Sequence, residues 1–528
     1  MTRYRKYKYY NGQNFLNDLN RSLAGVDLHQ MSHDDFDDLL MRVLNEHAPI
    51  KTRFVRGNDQ PFMTKELRRE HMERTRLLNR WRGDGSDGSR DAYRRQRNRC
   101  TNLLKKIKRS YYGNLKPSSI CDNKKFWGVV KPLFSGKCVS GDSISLIENR
   151  VIVSDDKQGA DIFNDYFGSA VKCLNIDYFE HFSFDCIYSE EEDPVYKAIE
   201  KYSKHPSILK IRENYPAGGS FSFKPTNLES VIKEVRGLDE SKSSPMESVP
   251  ARVLKDIIDV VCPKFVIDFN SAISTGIFPQ HPKLADVAPL FKKDDKQYKG
   301  NFRPVSLLSA ISKVFGRLMH HQMHEYMIHK LSIFLCGFRK EMNAQNCLVF
   351  LVERWRRGLD RSKKCGVLLT DLSKAFDCLL HDLLIAKLHA YGFDYLALKL
   401  IYSYLSGRKQ RVRVNASFSE WTNIDYGVPQ GSILGPELYN YNSNDLFLFV
   451  LLEIANYADD NSPFSVAPSV PRVIDNLETD VKNLLSWIKY NGLKANPDKF
   501  HLLLSDTDET LSMGVDGFDI YNSLSAII

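Results

Sequence analysis

Three carboxylates stand where they could hold a metal ion. Asp371 closes the apolar run Val367-Leu368-Leu369-Thr370, which reads as a buried strand. Asp459 and Asp460 follow 88 residues later in Asn456-Tyr457-Ala458-Asp459-Asp460, a segment with apolar flanks patterned as a hairpin with acids at its turn. An acid at the end of a buried strand is costly unless positive charge meets it. A hard divalent cation is the natural partner, and Mg²⁺ uses one or two protein carboxylates together with substrate phosphates. Two such ions about 3.5–4 Å apart can activate an attacking hydroxyl and stabilise the leaving oxygen in phosphoryl transfer. For Asp459-Asp460 alone, the plainer reading is turn chemistry.

Between the acids lies Gly427-Val428-Pro429-Gln430-Gly431-Ser432-Ile433-Leu434-Gly435-Pro436, a Pro/Gly-flanked turn leading into a helix. Gly431 permits close backbone approach to a ligand, and Gln430 offers both donor and acceptor. Asp371 opens Asp371-Leu-Ser-Lys374-Ala-Phe376-Asp377, whose backbone amides suit a triphosphate with Phe376 beside the sugar. A core phenylalanine is the other reading of Phe376. Lys374 reads either as a phosphate contact or as a solvated side chain.

Around these segments the pattern mixes strands and helices without βαβ regularity, so the fold class is α+β. The capping box Thr226-Asn-Leu-Glu229 opens a helix with Leu228, Val231, Ile232 and Val235 on one face. A second helix carries Val253, Leu254, Ile257, Ile258, Val261 and Phe265. Asp286–Phe291 is strand-like, Ser309 caps a helix, another helix starts near Asp382, and an amphipathic helix spans Val473–Tyr490. Upstream, residues 1–50 read as short helical pieces with Phe36, Leu39, Leu40 and Val43 inward. A helical hairpin follows: Pro61 and Thr64 precede its first helix, which runs to about Trp81. Residues 83–88 turn, and the second helix runs from about Asp91 to Leu115. Leu103, Leu104, Ile107 and Tyr111 share one face of it. Arg94, Arg95, Arg97, Arg99, Lys105, Lys106, Lys108 and Arg109 cover the rest. Residues 135–225, with loop-like runs at Glu190-Glu191-Glu192-Asp193 and Pro216–Ser220, read as a connector.

Charge is localised. Residues 51–131 hold 23 Lys+Arg against 8 Asp+Glu, a net of +15, while the remaining chain is net −6. The asymmetry points to a polyanion such as nucleic acid, with a solvated helix face as the bland alternative. The longest apolar stretch, Leu446–Ile454, is short and contains Glu453, so no membrane span is expected. The ten cysteines form no CxxC pair and no zinc-finger spacing, so they read as reduced intracellular thiols with no zinc site evident.

Taken in order, the motifs resemble a reverse transcriptase of the non-LTR (LINE-type) retrotransposon kind. They are Lys242-Ser-Ser-Pro245 with Val249-Pro250-Ala251, then Asn301-Phe302-Arg303-Pro304-Val305-Ser306-Leu307-Leu308, then Cys336-Gly337-Phe338-Arg339-Lys340. The Asp371 segment, Gly427–Pro436, Tyr457-Ala458-Asp459-Asp460 and Asn491–Lys499 follow. The resemblance implies right-hand polymerase fingers and an antiparallel palm sheet backed by helices. It divides the chain into a basic helical region (1–134), a connector (135–225) and a polymerase region (226–528). It implies template RNA, primer DNA and dNTPs as partners and two Mg²⁺ ions as cofactor, with Mn²⁺ a substitute. Asp371, Asp459 and Asp460 match the metal-ligating acids, Phe376 the residue that excludes a ribose 2′-OH, and Gln430 and Arg303 nucleotide-side positions. Lys499 stands between proton donor to pyrophosphate and plain surface lysine. Access to chromosomal DNA would make the setting nuclear, with a cytoplasmic ribonucleoprotein stage. The main alternative is an inactive relic that only binds RNA or DNA. Two departures bear on it. Polar Asn442 and Ser443 are expected to weaken a helix that the family keeps apolar. Residues 505–528 are expected to lead towards a primer-gripping hairpin, with the thumb and an upstream endonuclease outside the chain.

Overall fold

The computed structural model describes residues 2–53, 62–114, 126–127, 144–169, 193–216, 219–505, 511–515 and 518–522. Pro61, Leu115, Glu190-Glu191-Glu192 and Ala217-Gly218 lie outside them. Two compact units form, one of residues 1–2 with 52–143 and one of residues 3–51 with 144–528. The N-terminal region therefore divides: its first helices belong to the body rather than to the basic segment.

Those helices are α1 (Gly12–Leu23) and α2 (His33–His47), the latter capped by Ser32, whose Oγ accepts from the Asp35 N–H at 3.1 Å. Phe36, Leu39, Leu40 and Val43 of α2 are buried in the main core, as their spacing required. The smaller unit is a hairpin of α3 (Lys65–Asp84) and α4 (Asp87–Gly113). Thr64 caps α3. The turn between them is shorter than the glycine count suggests. Gly85 takes a left-handed φ of 61°, and Ser86 already caps α4 through the Ser89 N–H.

The stretch expected to be a connector holds regular structure. It contains α5 (Asp156–Gly168), α6 (Pro194–Lys201) and α7 (Pro206–Asn214), with apolar faces that join the buried clusters of the body. Then come α8 (Leu228–Arg236), α9 (Ala251–Asp256) and α10 (Ile258–Thr275). Asn227, one residue after the expected Thr226, caps α8 by accepting from the Ser230 N–H. Next are α11 (Ala310–Met327), α12 (Ala344–Leu359), α13 (His381–Ala390), α14 (Tyr395–Leu405), α15 (Leu434–Ser443) and α16 (Val470–Tyr490).

Two principal sheets carry the body. In one, β1 (Leu284–Phe291) pairs antiparallel with β2 (Phe302–Leu307) and parallel with β4 (Arg408–Val414), whose other edge takes β5 (Thr422–Ile424). The other is antiparallel, in the order β6 (Glu453–Tyr457), β7 (Asp460–Ala467), β3 (Lys364–Leu369), β8 (His501–Leu504). Helix α16 lays Val473, Leu477 and Val481 on this sheet beside Leu368 and Leu502. A final hairpin, β9 (Ser512–Val515) with β10 (Phe518–Tyr521), follows β8. No helix among the described residues is long and apolar enough to cross a membrane.

The polar residues after Pro436 are mixed in their effect: several side chains find partners, while Oδ1 of Asn440 and of Asn442 does not. α15 is buried along almost its whole length, and most of its polar groups have partners. Asn440 Nδ2 donates to the Gly337 carbonyl (2.9 Å) and the Ser443 hydroxyl to the Tyr439 carbonyl (2.9 Å). The Asn442 carbonyl accepts from Lys387, although Oδ1 of both Asn440 and Asn442 is buried without a partner. Lys387 is fully buried and also donates to Asp445 Oδ1 (2.6 Å) and Asn491 Oδ1 (2.5 Å), while Trp487 Nε1 donates to the second Asp445 oxygen (2.9 Å). One ammonium thus joins α13, the end of α15 and α16.

Removing one member of a buried pair strands the other charge. Lys387→Met is expected to cost about 3–5 kcal/mol in equilibrium unfolding. A loss below about 1 kcal/mol would show that Asp445 is satisfied without the lysine.

Candidate active site

Asp371 is fixed by what precedes and follows it. The β3–β7 ladder runs on through Thr370, whose N–H and Oγ1–H both donate to the Asn461 carbonyl, at 3.0 and 2.8 Å. On the other side, the Asn496 N–H donates to the Asp371 carbonyl (3.0 Å) and the Ser373 N–H to that of Lys494 (2.8 Å). The carboxylate accepts from Lys499 Nζ (2.8 Å) and Asn496 Nδ2 (3.2 Å) at Oδ2.

Asp459 and Asp460 come from the β6–β7 hairpin. Tyr457 pairs with Asp460, leaving Ala458-Asp459 as a two-residue turn with Ala458 at φ 59°. A non-glycine residue there is strained and persists only when its surroundings impose it. The surroundings are visible. Asn456 Nδ2 donates to the Ala458 carbonyl (3.0 Å), and Leu335 bridges to Asn456. Gly337 packs so closely that a Cβ there would lie 2.3 Å from the Ala458 nitrogen.

The three acids act on one another electrostatically. Burial raises the pKa of Asp459, and the Asp371 charge adds to the rise; Arg303 and Lys292 offset it. Burial likewise raises Asp460, reinforced by Asp459 and Asp371, with Lys292 and Arg303 again opposing. Arg303 lies on β2 opposite Leu290. Asp371, Asp459, Asp460 and Arg303 are therefore brought together, with Lys292 and Lys499 beside them. An all-oxygen donor set whose carboxylates repel one another suits a hard divalent cation. The three side chains do not close on a single point: among the described residues, the group of three ligands within 4.8 Å of one another is elsewhere.

Phe376 is half-buried and stacks on buried Tyr439 (centroids 4.3 Å, 23° between planes), with Phe338 edge-on at 5.6 Å. Burial raises the Tyr439 pKa, and the Asp459 and Asp460 charges raise it further, so Tyr439 links this ring to the acids. Gln430 is pinned from two sides. Its amide donates to Asp377 Oδ1 (2.8 Å) and its carbonyl accepts from the Ser306 N–H (2.8 Å). Gly431, at φ 118°, brings the chain so near β2 that a Cβ would stand 2.8 Å from the Ser306 oxygen. A cavity of about 450 Å³ opens beside Gln430, lined also by Asp377, Pro304, Ser306 and Tyr426; the three acids are not in its wall. Lys374, at φ 51°, sets its ammonium over the Tyr166 ring rather than over the acids.

Tyr439, Asp377, Lys292 and Asn496 were not singled out from the sequence. Asp377 and Asn496 lie inside quoted motifs, so motif membership was a usable signal. Tyr439 and Lys292 carry no local signal, because only the fold brings them in. The basic residues belong to the other unit. Arg94, Arg95, Arg97, Arg99, Lys105, Lys106 and Arg109 are exposed; Lys108 lies over the Phe62 ring, and Arg99 pairs with Glu70 at 3.1 Å. Leu103, Leu104, Ile107 and Tyr111 are half-buried, and Gln96 Nε2 bonds Glu70 Oε2 (2.6 Å) across the helices.

Comparison with known proteins bears on these residues. Residues 291–517 match the family described as Reverse transcriptase (RNA-dependent DNA polymerase). Residues 63–122 match the family described as Female sterile protein K10 C-terminal domain. The chain is 28% identical over 295 residues to the "Probable RNA-directed DNA polymerase from transposon BS" of Drosophila melanogaster, covering 54% of this chain and 32% of that protein. It is 28% identical over 279 residues to the "RNA-directed DNA polymerase from mobile element jockey" of Drosophila funebris, covering 51% and 30%. It is 32% identical over 201 residues to the "Probable RNA-directed DNA polymerase from transposon X-element" of Drosophila melanogaster, covering 36% and 22%. The chain spans about a third of the length of the first two of these relatives.

The raised pKa values of Asp459 and Asp460 have a consequence for stability. A folded-state pKa above the unfolded value favours the fold below about pH 4, and that contribution is lost as pH rises through the folded value. The ionised pair therefore destabilises the metal-free fold at neutral pH. In EDTA, Asp459→Asn/Asp460→Asn is expected to melt above the wild type at pH 7, with the gap closing towards pH 4. A lower Tm at pH 7 would contradict this.

Proposed function

We propose that this chain, a non-LTR-type reverse transcriptase through residues 291–517, copies template RNA by adding dNTPs to a DNA primer 3′-OH. The convergence of Asp371 with Asp459 and Asp460 at the adjoining ends of β3 and the β6–β7 hairpin carries this reading. On it, the antiparallel sheet β6-β7-β3-β8 is the palm, the β1–β2 hairpin with the preceding helices forms the fingers, and β9–β10 is the primer-gripping hairpin. The polymerase region is that of residues 226–528, preceded by the 135–225 segment and the basic region within 1–134.

Asp371 and Asp459, with Asp460 less directly, would hold two Mg²⁺ ions, for which Mn²⁺ could substitute. When bound, these supply the charge that lowers the pKa of the primer hydroxyl and neutralises the leaving pyrophosphate. The chain's own groups do the positioning. The primer oxygen bonds to the α-phosphorus as the bond to pyrophosphate breaks. Arg303 and Lys292 on the β1–β2 side face the triphosphate charge. Lys499, which donates to Asp371 at 2.8 Å, would donate a proton to the leaving pyrophosphate. Phe376, held between Tyr439 and Phe338, would be the residue that excludes a ribose 2′-OH. Gln430, clamped by Asp377 and β2, bears on the nucleotide and template. The exposed cations of α4 grip phosphates. Insertion into chromosomal DNA would require entry to the nucleus.

Primer extension on an RNA template with a DNA primer, dNTPs and Mg²⁺ tests the reading. The wild type is expected to extend, and Asp459→Ala to lose at least about 10²-fold. A folded wild type that binds RNA yet never extends would favour the inactive relic. In the same assay, Phe376→Ala is expected to raise rNTP use relative to dNTP use; efficient rNTP use by the wild type would remove the sugar-gate role. Neutralising Arg94, Arg95, Arg97, Lys105, Lys106 and Arg109 together is expected to flatten the salt slope of single-strand binding by up to about 4. An unchanged slope would return α4 to a solvated helix.

A further inference from the structure

The sequence holds no CxxC pair and no zinc-finger pattern, yet the fold brings a glutamate from over a hundred residues away to two histidines four apart. We propose that His320, His324 and Glu437 form a binding site for one divalent transition-metal ion of the zinc class, joining α11 to α15. The site uses none of the carboxylates of the polymerase reading and stands independently of it.

His320 and His324 are one helical turn apart on α11, so their imidazoles share a face. The rings are nearly parallel, 10° between planes with centroids 5.4 Å apart. Glu437, in the first turn of α15, lies against both. His320 Nε2 is 3.2 Å from Oε2, and His324 Nδ1 is 2.8 Å from Oε1. All three ligand atoms lie within 4.8 Å of one another. Zinc binds such atoms at about 2.0–2.2 Å, which separates tetrahedral ligands by about 3.4 Å, so the cluster has the right size. Two histidines and one carboxylate leave a fourth position. The imidazoles, a little over a quarter exposed, open that position to water. The Tyr441 hydroxyl donates to Glu437 Oε1 at 2.5 Å, the outer bond that orients a ligating carboxylate. The neighbouring His321 turns away to Glu234 (3.1 Å) and is not a ligand.

Charge supports the assignment. Glu437 is 4% exposed, and among the described residues its partners are His320, His324 and Tyr441, none of them a permanent cation. A buried carboxylate calls for positive charge, and an imidazole supplies it only when protonated. A bound dication supplies it at any pH where the imidazoles are neutral, and it needs them neutral in order to bind.

The experiment is a Zn²⁺ titration of the full chain against a chromogenic chelator, in excess Mg²⁺ so that hard-oxygen sites are filled. One Zn²⁺ per chain is expected, unchanged in Asp371→Asn/Asp459→Asn and at least tenfold weaker in both Glu437→Gln and His324→Gln. A readout that needs no variant is peptide mass analysis after diethyl pyrocarbonate treatment, in which Zn²⁺ is expected to protect His320 and His324 but not His321. No Zn²⁺ bound by the wild type, equal affinity in folded Glu437→Gln, or equal modification of His320 and His324 with and without Zn²⁺ would each overturn the site and leave a plain His–Glu hydrogen-bond pair.

Discussion

Mutual repulsion among three carboxylates at one end of an antiparallel sheet is the constraint that organises this protein. Asp371 follows the inner strand β3, and Asp459 and Asp460 stand in the turn before and at the start of its neighbour β7, so the ladder that builds the sheet also brings like charges near one another. Left alone, such a cluster would splay apart or take up protons. Here the backbone is held and the charge is partly offset. The Leu335–Gly337 segment presses against the strained Ala458 turn, and Thr370 and Asn496 tie the backbone on either side of Asp371. Lys499 and the β1–β2 hairpin residues Arg303 and Lys292 supply counter-charge from two segments.

Helix α15 ties this arrangement to the rest of the body. Within ten residues it backs Phe376 with Tyr439, holds the Gly337 carbonyl with Asn440, accepts from Lys387 through Asn442 and offers Glu437 to two histidines. A buried helix so rich in polar groups is stable only if those groups find partners, and most do. The Lys387–Asp445–Trp487–Asn491 cluster beneath it then fixes how α13, α15 and α16 meet.

Much of the fold was legible because it rests on local periodicity and capping. Ser309, the apolar stripe of α16 and the hairpin around Asp459 read directly from side-chain type and spacing, although Asp460, expected in the turn, is the first residue of β7. Connectivity in space was not legible. Residues 3–51 join the body because α2 offers its stripe to a core built elsewhere, and the described residues between 144 and 216 hold packed helices despite weak patterning. At the site, the acids and Gln430 stood out through motif order. Tyr439, Lys292 and the His320–His324–Glu437 cluster did not, since their partners lie over a hundred residues away for the histidines and on other elements for the rest. The partners of the polar run after Pro436 were not legible for the same reason: they come from α11, α13, α16 and the Gly337 segment.

If the fold holds these carboxylates together so that cations complete them, cation binding itself is the most direct measure. Mn²⁺ titration of the full chain, followed by water-proton relaxation with Zn²⁺ added beforehand, reads it without any turnover. The account predicts saturable Mn²⁺ binding that Mg²⁺ competes away and that Asp371→Asn/Asp459→Asn abolishes in a folded chain. Mn²⁺ binding that is absent from the wild type, or identical in that variant, would contradict it.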